Sequence, residues 1–148
     1  MLELEVVTPY RQVLHTQVES VIVPATDGYL GIMTNHAPLV CGLAIGVLHY
    51  GPAHGKKQRL ALSGGFLEVT GNKVTVLADT AELAEEIDVL RAMEARRRAE
   101  QRLRSRAANI DYVRAELALK RAMARLQAAG VEDDKQQEHP LPSSAIEH

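Results

Sequence analysis

The stretch Ile87-Asp88-Val89-Leu90-Arg91-Ala92, with the arginines that follow it, holds the residue types best suited to bind an anion. Asp88 and Arg91 are three apart and share a helix face; Arg98, seven beyond Arg91, returns to that face. Arg121 and Arg125 are four apart further along. If two helices fold back antiparallel, the end of the second comes near the start of the first, and four guanidinium groups converge. Arginine suits phosphate because its planar fork donates two parallel charge-assisted hydrogen bonds. Asp88 could accept from an amino group such as adenine's, or pair with Arg91. The same spacing also fits surface salt bridges on a solvated helix.

Other chemistry is thin. The six histidines, His15, His36, His49, His54, His139 and His148, show no metal-ligand spacing, and no cysteine accompanies any of them. His36 in Thr34-Asn35-His36-Ala37-Pro38 is expected as a hydrogen-bonded turn residue. The single cysteine, Cys41, stands in an uncharged stretch and reads as a buried, inert thiol. Ser63-Gly64-Gly65 lacks the lysine and the strand–helix setting of a phosphate loop, so it reads as a tight turn. Gly28-Tyr29-Leu30-Gly31 is too short for a dinucleotide fingerprint. No pair of carboxylates falls in a plausible cleft, and nothing supports catalysis or a metal centre within this chain.

The elements that must position the arginines follow from charge and from helix-breaking residues. Residues 1–86 carry five bases and nine acids, 87–130 eleven bases and five acids, and 131–148 one base and five acids. The net charge of −2 therefore hides a middle piece of +6, with ten of the twelve arginines between Arg91 and Arg125. Such clustering points to an anionic partner. No glycine lies between Gly71 and Gly130, and no proline between Pro52 and Pro140. The first piece thus reads as strands and turns, the second as long helices. The longest uncharged apolar run, Ala37 to Leu48, is shorter than the roughly 20 residues of a bilayer span and contains Pro38. No signal peptide is visible at Met1-Leu2-Glu3.

Leu2, Leu4 and Val6 alternate with Glu3, Glu5 and Val7, the period of a half-buried strand. Val18 to Val23 reads as a strand ending at Pro24. Asp27-Gly28 is a turn signal before Tyr29 to Ile32. Ile45 to Tyr50, Arg59 to Ser63, Phe66 to Val69 and Val74 to Leu77 complete the strands. Short strands with frequent turns and no intervening helix argue for an antiparallel sandwich over residues 1–84. In the second piece, 85–130, Asp88 is a helix N-cap, and Glu82, Glu85 and Glu86 suit the positive end of the macrodipole. Ala92, Ala95, Ala99, Leu103 and Ala107 form one apolar stripe. After a break near Ser105–Ile110, capped by Asn109 or Asp111, Ala115, Ala118, Ala122, Leu126 and Ala129 form another. Two antiparallel helices are expected. Alanine buries little area, so the hairpin reads as an appendage able to undock. Residues 131–148 read as an acidic, disordered tail.

Five stretches taken in order resemble the epsilon subunit of bacterial F-type ATP synthase over about residues 2–130. They are Val6-Val7-Thr8-Pro9, Gly28 to Ile32 with His36-Ala37-Pro38-Leu39, Ser63 to Val69, Ile87 to Ala92, and Arg114 to Ala122. The resemblance implies a sandwich of about ten strands followed by a helical hairpin, in a non-catalytic subunit of the rotating central stalk. The sandwich would bind the gamma subunit and the c-subunit ring of a proton-translocating machine. Tyr29, His36, Ala37 and Pro38 would face the ring, Tyr29 standing where many relatives carry an acid. In some members the folded hairpin binds one ATP as an effector, with no cofactor required. Arg91, Arg98, Arg121 and Arg125 would contact phosphates, and Ile87, Asp88 and Ala92 would hold the base or the helix start. The extended hairpin would reach the catalytic alpha/beta head and inhibit ATP hydrolysis. The subunit would sit peripherally at the cytoplasmic face of the bacterial cell membrane, touching the membrane only through the complex. The competing reading is a basic nucleic-acid-binding module; the +6 hairpin favours it, and the scarcity of aromatics (four tyrosines, one phenylalanine) opposes it. No nucleic-acid partner is expected.

Overall fold

The structure is a computed structural model that describes residues 1–105 and 107–131. The acidic tail expected from the sequence lies, apart from Val131, outside the described residues. Alternation decides β1 (Leu2–Val7), whose Leu2, Leu4 and Val6 are fully buried while Glu3, Glu5 and Val7 are half-buried. The strands that follow are β2 (Gln12–Val18), β3 (Ser20–Ala25), β4 (Gly28–Met33), β5 (Leu39–Gly51), β6 (Gln58–Thr70), β7 (Lys73–Ala78) and β8 (Ala81–Leu83). They form one continuous sheet in the order β2-β1-β7-β6-β5-β3-β4, with β8 paired to β6. The sheet folds over one core, to which every strand from β1 to β7 contributes. It is a sandwich, though a mixed one: β1 runs parallel to β7, and the other pairs are antiparallel.

Three local expectations change. The strand read from Val18 to Val23 divides at Glu19, where Val18 still pairs with β1 and Ser20 already pairs with β4 and β5. The Ser20 hydroxyl donates to Pro52 O at 3.1 Å and holds the switch. Pro24 does not end β3; it sits at the irregularity between Ile22 and Ala25 in the β3–β5 register, where its missing N–H costs no ladder bond. Ser63-Gly64-Gly65 is not a turn. It lies in the middle of the 13-residue strand β6, which changes partner there from β8 to β7. Gly64 and Gly65 have φ of 82° and 125°, and a Cβ on Gly65 would stand 2.1 Å from Leu77 O. Glycine is needed for close approach. Counting each half of the two long strands β5 and β6 separately turns eight strands into ten.

A short 3-10 turn (Ala84–Glu86) leads to α1 (Val89–Arg104) and α2 (Tyr112–Ala128). Each helix is capped by an aspartate: Asp88 Oδ1 accepts from Arg91 N at 3.1 Å, and Asp111 Oδ1 from Arg114 N at 3.0 Å. Ala92 and Ala99 on α1 are buried, as are Ala115, Ala122 and Leu126 on α2. The helices form a hairpin, and α2 lies on the sandwich through a small second cluster of Val47, Ala61, Ile87, Ala124 and Ala128. No helix of the described residues is long and apolar enough to cross a membrane.

Candidate functional site

The junction of α1, α2 and the segment between β8 and α1 encloses a polar pocket of about 400 Å³, lined by Glu82, Glu86, Asp88, Arg91, Ala92, Ala95, Arg98 and Arg125. A small-molecule site is typically a concavity of roughly 300–1,000 Å³, so the size suits a nucleotide-scale ligand. Each side chain is there for a local reason. Asp88 must precede α1 because its carboxylate caps the helix, which also spends one of its oxygens on a backbone amide rather than on the Arg91 guanidinium. Arg91 and Arg98 follow two helical turns apart on one face. Arg125 reaches in from the last turn of α2, where Nε donates to Glu82 Oε1 at 2.7 Å. Glu86 takes both arms of Arg11, at 2.5 and 3.3 Å, and this bond, more than the plain charge attraction, raises the pKa of the guanidinium.

The electrostatics leave Arg91 as the available cation. Among the described residues no carboxylate stands within ion-pairing distance of its guanidinium, whereas Arg98 has Glu94 at 3.9 Å and Arg125 has Glu82. A guanidinium without a carboxylate partner can donate two parallel hydrogen bonds to an anion such as phosphate. Among the described residues the lining holds no hydroxyl, thiol or imidazole. Its three carboxylates are engaged, by the cap, by Arg125 and by Arg11. The lining thus sets three carboxylates against three guanidinium groups, of which Arg91 has no ion pair among the described residues.

Five of the seven residues expected at the nucleotide site come together here: Asp88, Arg91, Ala92, Arg98 and Arg125. Ile87 does not line the pocket. It is buried beneath it among Val47, Ala61, Ala124 and Ala128, and so anchors the start of α1. Arg121 lines a separate cleft of about 880 Å³ between α2 and the sandwich, with Lys120, Met123, Ser63 and Tyr29 among its neighbours. Glu82 and Glu86 escaped the site expectation because their partners, Arg125 and Arg11, stand 43 and 75 residues away and no local pattern marks such pairs.

The residues grouped as one ring-facing loop are not together. His36, Ala37 and Pro38 occupy the loop after β4, where His36 N donates to Met33 O at 3.2 Å and Nδ1 lies 2.7 Å from Ala37 O, a hydrogen-bonded turn as expected. Tyr29 is at the opposite end of β4, exposed, with its hydroxyl 3.5 Å from Val47 N on the α2 side. Cys41 is half-buried rather than buried; burial first, and Asp27 second, push its pKa up, so the thiol is unreactive.

One further surface stands out. Phe66 pairs with Leu77 on one side and Gly42 on the other, and Leu77 with Val7, so these positions share a face. Phe66, Leu77 and nearby Val40 are 63%, 55% and 71% exposed, an apolar stripe across central strands. Isolated exposed apolar residues need no explanation, but three on one face of adjacent strands form a candidate interaction surface.

The family model of the ATP synthase delta/epsilon chain β-sandwich domain matches residues 1–84, and that of its long α-helix domain matches residues 85–130. The chain belongs to the ATP synthase delta/epsilon chain family. Its relatives carry a narrower name: the ATP synthase epsilon chain of Symbiobacterium thermophilum is 58% identical over 133 residues, 89% of this chain and 95% of the relative. That of Moorella thermoacetica is 52% identical over 129 residues, 87% and 96% of the two chains. Among solved structures, a chain of the Euglena gracilis mitochondrial ATP synthase, in an assembly that includes its c-ring, superposes with a TM-score of 0.72 at 26% identity, covering 86% of this chain and 80% of that one. A chain from the Tetrahymena thermophila mitochondrial ATP synthase central stalk and c-ring shares the fold, with a TM-score of 0.54 at 17% identity over 86% of this chain and 96% of that one.

Proposed function

We propose that this chain is the non-catalytic epsilon subunit in the central rotor stalk of a proton-translocating F-type ATP synthase, and that its folded hairpin binds ATP as an effector. The arginine pocket carries the second part. A cavity of about 400 Å³ with Arg91 available, Arg98 and Arg125 beside it and no nucleophile in its lining supports reversible binding of a phosphate chain without hydrolysis. The exposed stripe of Val40, Phe66 and Leu77 supports docking of the sandwich on the gamma subunit. The His36-Ala37-Pro38 loop supports contact with the c ring. In the complex the subunit sits peripherally, at the cytoplasmic face of the membrane. ATP stabilises the folded hairpin, and the released hairpin reaches the catalytic alpha/beta head and inhibits hydrolysis; an effector shifts such an equilibrium only by its differential affinity for the two states.

Calorimetric titration of the isolated full chain with ATP tests the pocket. Saturable binding, weakened about tenfold or more by Arg91→Ala, is expected from loss of a charge-assisted bidentate contact. Absence of binding at millimolar ATP would remove the effector role and leave the stalk role standing.

A further inference from the structure

We propose that the cavity beneath the C-terminal end of α2 binds a small tetrahedral oxyanion of the inorganic phosphate class, and that the bound anion ties the hairpin to the sandwich. The site is separate from the arginine pocket, and the inference does not rest on nucleotide binding. The cavity measures about 250 Å³ and is lined by Tyr29, His49, Arg59 and Gln127, with Val131 beside them. That is below the roughly 300–1,000 Å³ typical of sites for organic ligands, which favours an ion over a nucleotide. Strand register brings these groups together. Leu48 and Tyr50 belong to the sandwich core, so Val47 and His49 share the opposite face, where Val47 packs under α2. Arg59 stands directly opposite His49 on β6. Tyr29 comes from β4 and Gln127 from the last turn of α2, so donors from sandwich and hairpin meet in one place.

The lining is rich in donors and, among the described residues, holds no carboxylate. His49 Nε2 is buried without a hydrogen-bond partner among the described residues. Among them no carboxylate pairs with Lys57 or Arg59 either. The Tyr29 hydroxyl accepts from Val47 N at 3.5 Å, which leaves its own proton to donate. The Gln127 side-chain amide adds further donors. The His49 pKa is pushed down, by burial first and then by Arg59 and Lys57, as expected where cations dominate the local field. The carbonyls that end α2 are engaged by its own cap: Ala129 N, Gly130 N and Val131 N donate to Arg125 O, Gln127 O and Leu126 O. Glycine at position 130 leaves room for the guanidinium, since a Cβ there would stand 3.1 Å from Arg59 Nη2. A small apolar cluster and the Arg125–Glu82 ion pair hold α2 on the sandwich. An anion that accepts from His49 and Arg59 on one side and Gln127 on the other adds a further link. It binds the docked hairpin more tightly than a released one, and so favours docking.

Sulfate is the first probe, because it does not titrate near neutral pH, and inorganic phosphate the second. The full chain is titrated with each and followed by NMR at constant ionic strength, so that screening does not change. The His49 imidazole and the Gln127 side-chain amide should shift together and saturate, and the His49 pKa should rise on binding. Arg59→Gln should weaken the affinity about tenfold through loss of a charge-assisted contact, and Gln127→Ala, at an exposed position, about threefold. At an anion concentration about ten times the Kd, exchange of the α2 amides that open with the hairpin should slow about tenfold. Acetate should bind more weakly than sulfate; equal affinity would overturn the assignment to a tetrahedral anion. Shifts that do not saturate, or an affinity that both substitutions leave unchanged, would overturn the site. Shifts at Arg91 and Arg98 without one at His49 would also overturn it, placing the anion in the arginine pocket instead. Saturation without slower α2 exchange would overturn the tie to the hairpin.

Discussion

Asp88 caps α1, and the same oxygen fixes the backbone from which Arg91 and Arg98 project. The motif around it was legible because helix capping and the spacing of residues on one helix face both act over three or four residues. Glu82 was not, since its meaning depends on Arg125 arriving from another element at 2.7 Å. Gly65 illustrates the opposite failure. Its type announced an unusual backbone, but a turn and a kink within a strand ask for the same residue, and only Leu77 O, 2.1 Å from the missing Cβ, tells them apart. Gly65→Ala should therefore cost about 2–4 kcal/mol in urea denaturation. Gly71→Ala, also at positive φ but with nothing within 4 Å of its Cβ, should cost about 1–2 kcal/mol. Equal costs would show that backbone strain alone, without the carbonyl contact, governs both sites.

The elements differ in what holds them. β1, β6 and β7 meet through fully buried Leu4, Val6, Leu67, Val74 and Val76. The hairpin closes chiefly on alanines, and α2 meets the sandwich in a cluster of five buried residues, three of them alanine. At about 25 cal/mol per Å² of apolar surface, alanine contributes far less per residue than leucine or valine. Opening of the hairpin should thus cost less than unfolding of the sandwich. Hydrogen exchange should find α1 and α2 amides at least tenfold less protected than those of Leu67 and Val76. Equal protection would mean that hairpin and sandwich open as one unit, leaving no separate released state for regulation. Element boundaries were readable where periodicity was strong, as in β1 and both helices. The edge strand β2 escaped, since only Val13 and Val18 of its seven residues are buried and the alternation is faint.

At the scale of the molecule, the proposed switch sets the folded hairpin against a released form. Among the described residues two ion pairs link the appendage and its connecting segment to the sandwich side, Arg125–Glu82 and Arg11–Glu86. ATP in the arginine pocket would add to the folded side by an amount set by its concentration relative to its Kd. In the assembled synthase, hydrolysis should be inhibited at low ATP and relieved as ATP rises. Removal of residues 87–148 should abolish the dependence on this subunit. Hydrolysis rates that are equal with and without those residues at every ATP concentration would refute the switch.

The amino-acid sequence by itself determined the division into a strand-rich piece and a helical piece, the start of the first helix at Asp88, and the clustering of cations on the second piece. Those features rest on periodicity, capping and glycine placement, which act between near neighbours and are written locally. Tertiary structure decided which arginines share a pocket, that Arg121 faces another cleft, that Tyr29 lies far from His36 along β4, and that β1 pairs in parallel with β7. These outcomes depend on the angle at which α2 settles on β5 and β6 and on pairing between strands some seventy residues apart. Contacts of that kind are fixed by packing of the whole core, and no short window of sequence contains them.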